Sequence, residues 1–312
     1  MNRIDNRLNR RGDSKRTQSF TVFGLAAEAE PLTAGLYVVA TPIGNLKDIS
    51  FRALNALAAA DAVLAEDTRV TKTLLAHYGI TTPLVAYHEH SNSAVRERML
   101  LRLKEGQVLA LVSDAGTPLV SDPGYKLVQA AIEEGLPVTP IPGPSAILTA
   151  LVVSGLPSDR FFFEGFLPPK SAARRFRLAE IGPIPATLML FESPHRLPDM
   201  LKDAADVLGD RPAVVARELT KLFETVRRGT LSSLAAQFAV EGPPKGEIVV
   251  LIGQSDRAVP EDESAALIDA RLREEMKTRS IKDATAIVAA ETGQPKREVY
   301  GRALALARQE SR

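Results

Sequence analysis

Val108-Leu109-Ala110-Leu111-Val112-Ser113-Asp114-Ala115-Gly116-Thr117-Pro118 reads as a buried strand ending in a tight polar turn. The apolar run suits a strand covered on both faces. Gly116 permits a tight turn or a close backbone approach to a ligand. Pro118 stiffens the exit and removes a donor. Ser113, Asp114 and Thr117 are short polar groups at the carboxyl end of the strand, where open α/β sheets bind ligands. One such loop is an ordinary connection, but two more share its build. Residues 36–40 end in Thr41-Pro42-Ile43-Gly44-Asn45, and 138–141 end in Pro142-Gly143-Pro144-Ser145-Ala146. Together the three suggest backbone walls around one small polar ligand.

Outward from these turns, strands and helices alternate. Strands are expected at 36–41, 62–65, 84–87, 108–112 and 138–141, with helices at 50–60, 68–77, 93–104 and 124–134. This alternation implies a parallel sheet with helices on both faces. Asp48 or Ser50 suits the first helix as N-cap, and Ser91 or Ser93 the third. Pro144 suits the first turn of a further helix. Gly155, Pro157 and Ser158 then form a hinge before a second unit. Its strands are expected at 161–166, 187–191, 213–217, 224–228 and 247–252, and its helices at 171–181, 195–208 and 231–240. Consecutive strands near 213–228 point to antiparallel pairing. Helical spacing returns at 262–277, 281–290 and 295–308, the last two joined by a Gly-containing turn as in a helix-turn-helix. The expected fold class is α/β, with a tail at 1–32, α/β domains at 33–154 and 155–255, and a helical domain at 260–312.

Composition narrows the classes. The chain has 312 residues, 45% hydrophobic and 25% charged, with a formal net charge of +1. These are ordinary values for a globular protein, so any basic surface must be local. With no cysteine, disulfides and thiol chemistry are excluded, in keeping with a reducing compartment. No apolar run approaches the ~18–20 residues of a bilayer span. No signal-peptide core opens the chain, so a cytoplasmic protein is expected. Basic residues gather in three places. Residues 1–16 carry six bases against two acids, read as a solvated tail or a phosphate-touching arm. Lys170, Arg174, Arg175 and Arg177 meet no acid along the chain before Glu180. Residues 277–308 hold seven bases and three acids, consistent with a solvated helical cap or a nucleic-acid contact.

The usual dinucleotide and triphosphate glycine motifs are absent, as is a serine nucleophile elbow. His88-Glu89-His90 offers two imidazoles but no evident third ligand, so no metal is expected. Polar clusters remain at strand ends: Glu66-Asp67-Thr68-Arg69, Glu192-Ser193-Pro194-His195-Arg196 and Arg217-Glu218-Leu219-Thr220-Lys221. Each alone suits a helix cap with an ion pair. Three converging at strand ends favour a site.

Residues 39–46, 66–69, 113–118, 121–124 and 142–146 closely resemble the ribosomal small-subunit RNA methyltransferase I family. That is the 2′-O-ribose branch of the tetrapyrrole methylase superfamily. Residues 191–196 and 217–224 extend the resemblance, which runs from about 36 to the C-terminus. It implies two α/β domains with a donor cleft between them, S-adenosyl-L-methionine as donor, and a decoding-region cytidine of 16S rRNA in the 30S subunit as acceptor. A homodimer is also implied. Carried over by position, the donor meets Pro42, Ile43, Gly44, Ala115, Gly116, Thr117, Pro118, Val120, Ser121, Ser145, Ala146 and Leu219. Gly116-Thr117-Pro118 departs from the Gly-Asp-Pro usual in the tetrapyrrole enzymes, which fits a changed acceptor, with Asp114 a nearby carboxylate. A base would add about 10²–10⁴-fold to attack by a ribose hydroxyl. Glu66 is the first candidate, with Glu192, His88 and Glu218 as alternatives. Arg69, Arg174, Arg175, Arg196, Arg217, Lys221, Lys296 and Arg297 are the expected RNA contacts. A porphyrinoid methyltransferase and a non-catalytic RNA-binding protein are the rival readings.

Overall fold

The computed structural model describes residues 18–88, 93–254, 261–292 and 294–310. They form two compact units, 1–254 and 255–312, each taken on its own below.

The larger unit begins with a hairpin, β1 (Ser19–Val22) and β2 (Leu25–Glu28). This corrects the part of the expected 1–32 tail that falls at 19–28. Phe20 is buried in the core beside Tyr78, and Thr21 N–H donates to the Tyr78 carbonyl at 2.8 Å. The basic residues of 1–16 lie outside the described residues.

Next come β3 (Gly35–Val39), α1 (Phe51–Ala59), β4 (Ala62–Ala65), α2 (Thr68–His77), β5 (Leu84–Ala86), α3 (Ser93–Lys104), β6 (Val108–Val112), α4 (Tyr125–Glu133) and β7 (Val138–Ile141). The five strands from β3 to β7 form one sheet, ordered β5-β4-β6-β3-β7 and parallel throughout. Side chains alternate between its faces as the pleat requires. Leu36, Leu64 and Leu111 enter one core, while Val39, Val63 and Ala110 enter the other. Ser50 caps α1 by accepting from Ala53 N–H at 3.1 Å. Ser91 lies outside the described residues.

α5 (Ala146–Ser154) is capped by Ser145, so Pro144 stays in the preceding turn rather than opening the helix. The Pro144 carbonyl is engaged there by the Thr117 hydroxyl at 3.1 Å. Although α5 follows the first sheet in sequence, Ile147, Ala150 and Leu151 pack on the second sheet, against Met189, Val214 and Leu251.

That sheet is built by β8 (Phe161–Phe166), α6 (Ser171–Ile181), β9 (Thr187–Glu192), α7 (Leu197–Leu208), β10 (Pro212–Arg217), β11 (Thr225–Thr230), α8 (Leu231–Glu241) and β12 (Ile248–Ile252). Its order is β11-β10-β12-β9-β8, with only β8 and β9 parallel. A 3₁₀ turn at Pro194–Arg196 precedes α7, so the helix expected from 195 starts at Leu197. Antiparallel pairing places Ile248, at the start of β12, between Arg217 and Glu192, near the ends of β10 and β9. Strand starts and strand ends therefore meet at one edge.

The smaller unit has α9 (Glu261–Met276), α10 (Ile281–Thr292) and α11 (Lys296–Glu310) around Leu272, Val288, Val299 and Ala303. No helix among the described residues is long and apolar enough to cross a membrane.

Leu36 is fully buried in the middle of the first sheet. Leu36→Ala is expected to lower the unfolding free energy by about 2–5 kcal/mol in denaturant titrations followed by circular dichroism.

Candidate functional site

The three turns at the carboxyl ends of β3, β6 and β7 come together because those strands are neighbours. Thr41 N–H donates to the Gly116 carbonyl at 2.8 Å, and Gly116 N–H donates back to Thr41 at 3.0 Å. Gly116 holds φ at +80°, a left-handed conformation that favours glycine. Leu119 and Ser121 also have positive φ, 75° and 63°. Such strain in non-glycine residues collects at functional sites.

Two adjoining cavities open at this edge. The first, about 360 Å³, is walled by the turns on one side and by β9, β10, β12 and their loops on the other. Ile43, Ala115, Gly116, Thr117, Val120, Ser121, Ser145, Ala146 and Leu219 line it, so nine of the twelve expected donor contacts gather at one place. Pro42 and Gly44 instead line the second cavity, about 380 Å³, which shares Ile43, Ala115 and Glu247 with the first. Pro118 lines neither.

Among the described residues lining the first cavity, Asp122, Glu192 and Glu247 are acidic and none is Lys or Arg. Burial pushes the Asp122 carboxyl up, partly offset by a hydrogen bond from Ser113. Burial also raises Glu192, whose side chain is 1% exposed. Its Oε1 accepts from Ser193 N–H at 2.7 Å, whereas Oε2 is buried with no hydrogen-bond partner. A buried acceptor without a donor is costly. A ligand N–H or O–H in the cavity would satisfy it.

Of the other three candidate bases, Glu218 pairs with Lys221 and two lie elsewhere. Glu66 follows β4 and His88 follows β5, the edge strand, and neither lines either of these two cavities. Beside Glu66, Asp67 is held down to about 2 by hydrogen bonds from Arg69. His90 lies outside the described residues. Among the described residues no cluster of three metal-ligating side chains occurs.

Most of the expected RNA contacts are internal fasteners. Arg174 is buried, and its guanidinium meets Asp203 at 2.7 Å. Arg175 pairs with Asp203 and Asp206, and Arg177 with Glu164. The acids that offset this run come from α7 and β8, and from Glu180 on the same helix, which meets Arg177 at 3.1 Å. Burial alone would push the Asp203 carboxyl up, but hydrogen bonds from Ser171, Arg174 and Arg175 bring it below the ordinary value. Arg196 donates to the Leu167 carbonyl at 2.6 Å and stands 3.2 Å from Glu192 Oε1. Arg217 clasps the loop after β10 through Thr225, Phe223 and the Lys245 carbonyl. Lys221 is tied to Glu218 and Glu247. Arg69 is 89% exposed but paired with Asp67. On the helical unit Lys296 and Arg297 are exposed at the start of α11, as is Lys282 on α10. Arg279 and Arg302 there pair with Glu275 and Asp269.

Phe166, Phe191, Ser193, Gly246, Glu247 and Val249 also line the first cavity. Sequence reasoning that searched the ends of parallel strands passed over 246–249. The clue was the antiparallel pairing itself, which brings the start of β12 to the same edge.

Comparison with known proteins agrees with this fold. Residues 35–235 match the Tetrapyrrole (Corrin/Porphyrin) Methylases family, and 261–307 match the RsmI C-terminal HTH domain. The ribosomal RNA small subunit methyltransferase I of Mesorhizobium japonicum is 50% identical over 279 residues, covering 89% of this chain and 94% of that protein. The protein of the same name from Escherichia coli O157:H7 is 48% identical over 277 residues, covering 86% and 94%. Among solved structures, diphthine synthase superposes with a TM-score of 0.54 at 21% identity, covering 70% of this chain and 89% of that one. The uroporphyrin-III C-methyltransferase of Thermus thermophilus complexed with S-adenosyl homocysteine gives 0.50 at 20% identity, covering 72% and 99%. At these identities the likeness shows the fold.

Two outcomes are expected. A carboxyl raised in the native state above its unfolded value loses stability as pH rises. Glu192→Gln should therefore be more stable than wild type at pH 7 in denaturant titrations. The gap should close well below about pH 4.3, where the carboxyl is protonated folded and unfolded. Removing Asp203 leaves Arg174 buried and unpaired, so Asp203→Ala should cost about 3–5 kcal/mol. Asp206→Ala, at the exposed end of the same network, should cost less than about 1 kcal/mol.

Proposed function

The chain belongs to the ribosomal RNA small subunit methyltransferase I family within the tetrapyrrole methylases, and from that premise we propose its reaction. It transfers a methyl group from S-adenosyl-L-methionine to the 2′-hydroxyl of a decoding-region cytidine in 16S rRNA. The observation that supports this best is the charge of the first cavity, which has three acids and no base among its described lining residues. Such walls suit a cationic sulfonium compound and repel an anion. The unpartnered Glu192 Oε2 is an acceptor for an ammonium or hydroxyl of that compound.

The donor supplies an activated methyl on a positive sulfur. The protein has to hold it, exclude water and align the acceptor, and such positioning can remove about 7–11 kcal/mol of barrier. Backbone of the turns at Ile43, Ala115–Thr117 and Ser145–Ala146, with Leu219 opposite, is the proposed cradle. Lys296 and Arg297, exposed at the start of α11, remain the proposed phosphate contacts. A porphyrinoid acceptor, rich in carboxylates, finds one basic side chain among the described residues lining both cavities, Lys221, already held by two acids. We also propose that the protein works in the cytoplasm as a homodimer. Leu148 and Val152, exposed on α5, give apolar surface that a second copy would cover.

Incubation with methyl-labelled donor and 30S particles from cells lacking the protein tests the reaction. Label is expected on one ribose oxygen, mapped by nuclease digestion and mass spectrometry to a decoding-region cytidine. Label on a porphyrinoid and none on the particles would overturn the assignment, as would RNA binding without donor uptake in calorimetry.

A further inference from the structure

The loop from Arg217 to Thr225 carries features that holding a donor does not explain. Glu218 and Thr220 have φ of 52° and 67°, left-handed values that cost non-glycine residues energy. The Thr220 hydroxyl is buried without a hydrogen-bond partner. Two glycines on other loops make room for the side chains. A Cβ on Gly44 would overlap Lys221, and a Cβ on Gly246 would overlap the Glu218 carboxyl.

Through that clearance Lys221 Nζ reaches Glu218 Oε1 at 2.8 Å and Glu247 Oε2 at 2.9 Å. Burial works against the ammonium, but these two bonds outweigh it and hold Lys221 in its charged form. Glu218 Oε1 is doubly engaged, since it also accepts from Glu247 N–H at 3.0 Å. Its own N–H donates to the Glu247 carbonyl at 2.9 Å. The Glu247 backbone is thus pinned from two sides, while its side chain is 74% exposed. Among the described residues Glu247 is the one carboxylate that lines both cavities. Asp122 and Glu192 line the first cavity alone, and Asp114 the second alone.

We propose that the second cavity receives the acceptor nucleoside, and that Glu247, held by Lys221, takes the proton from its hydroxyl. This rests on the methyltransferase reading above. The cavity suits an unpaired nucleoside turned out of its strand, with Val70, Leu74 and Leu46 as apolar wall and Asp114 and Thr73 as polar partners. As the acceptor oxygen forms its bond to the methyl carbon, its proton passes to the Glu247 carboxylate. The carbon–sulfur bond breaks, and its electron pair stays on sulfur as a neutral thioether. Lys221 is a positioning residue, since it acts through Glu247.

The test compares wild type, E247Q, K221M, the double variant and E66Q on 30S particles, with S-adenosyl-L-methionine affinity measured by calorimetry. E247Q is expected to lower kcat at saturating donor about 10²–10⁴-fold, the range of a lost general base, with donor binding weakened but retained. K221M should lower kcat less, and the double variant should be no slower than E247Q, because residues acting as one unit are not additive. An additive double variant would reduce Lys221 to a structural role and overturn its part. E247Q at wild-type turnover, E247Q that no longer binds donor, or E66Q carrying the loss instead would overturn the role of Glu247. A wild-type protein that transfers nothing would remove the methyltransferase reading itself.

Discussion

Much of this architecture depends on a pair of backbone hydrogen bonds between Thr41 and Gly116. β3 and β6 run parallel, so their following turns leave the sheet side by side with unpaired N–H and C=O groups. Buried backbone groups must find partners. The two turns find them in each other, as an isolated antiparallel bridge beyond a parallel ladder. The bridge fixes Ile43 over Gly116, where a Cβ would approach the Ile43 side chain at 3.3 Å. It also leaves Thr117 to bond the third turn through Pro144. The wall of the first cavity is therefore largely main chain, which explains why short residues, proline and glycine crowd these positions.

The opposite wall has a different logic. A mixed sheet puts the start of β12 between the ends of β10 and β9, so Arg217, Ile248 and Glu192 share one rung. Side chains, not main chain, dominate there. A carboxylate buried on this rung with one oxygen unpartnered is unstable in isolation, and its cost is offset only when a ligand brings a donor. The site thus combines a rigid backbone cradle with an opposing wall that is electrostatically incomplete.

The parallel half was legible because its chemistry is local. Short continuous apolar runs, stiff turns and capping residues such as Ser50 all lie within a few residues of the feature they dictate. The resemblance of those turns to a known family added donor and acceptor, which no periodicity could supply. What escaped was non-local. Glu247 acquires its place from strand pairing and from Lys221, 26 residues away. Phe20 looked like part of a tail because its partner Tyr78 lies more than fifty positions on. Arg174 looked like a phosphate grip because the acid that neutralises it is on α7, 29 residues away. Pro144 looked like a helix start because its carbonyl's partner, Thr117, belongs to another turn. In each case the deciding interaction joins segments that sequence windows never contain together.

Charge shows the same lesson at larger scale. A net charge of +1 conceals two local balances that differ in sign. Around the first cavity Arg174 is taken up by Asp203 and Arg196 stands against Glu192 Oε1, and neither arginine is among the lining residues, where the acids are. On the helical unit Arg271, Arg279 and Arg302 absorb the nearby acids, leaving Lys282, Lys296 and Arg297 exposed. A cationic small molecule and a polyanion could not share one surface without one of them being repelled. The proposed arrangement meets that conflict by giving the phosphates to the exposed cations of the helical unit and only the acceptor nucleoside to the acid-lined edge of the larger one. It also explains why a chain proposed to act on RNA needs no overall basic charge: internal pairing decides which cations remain available to phosphate.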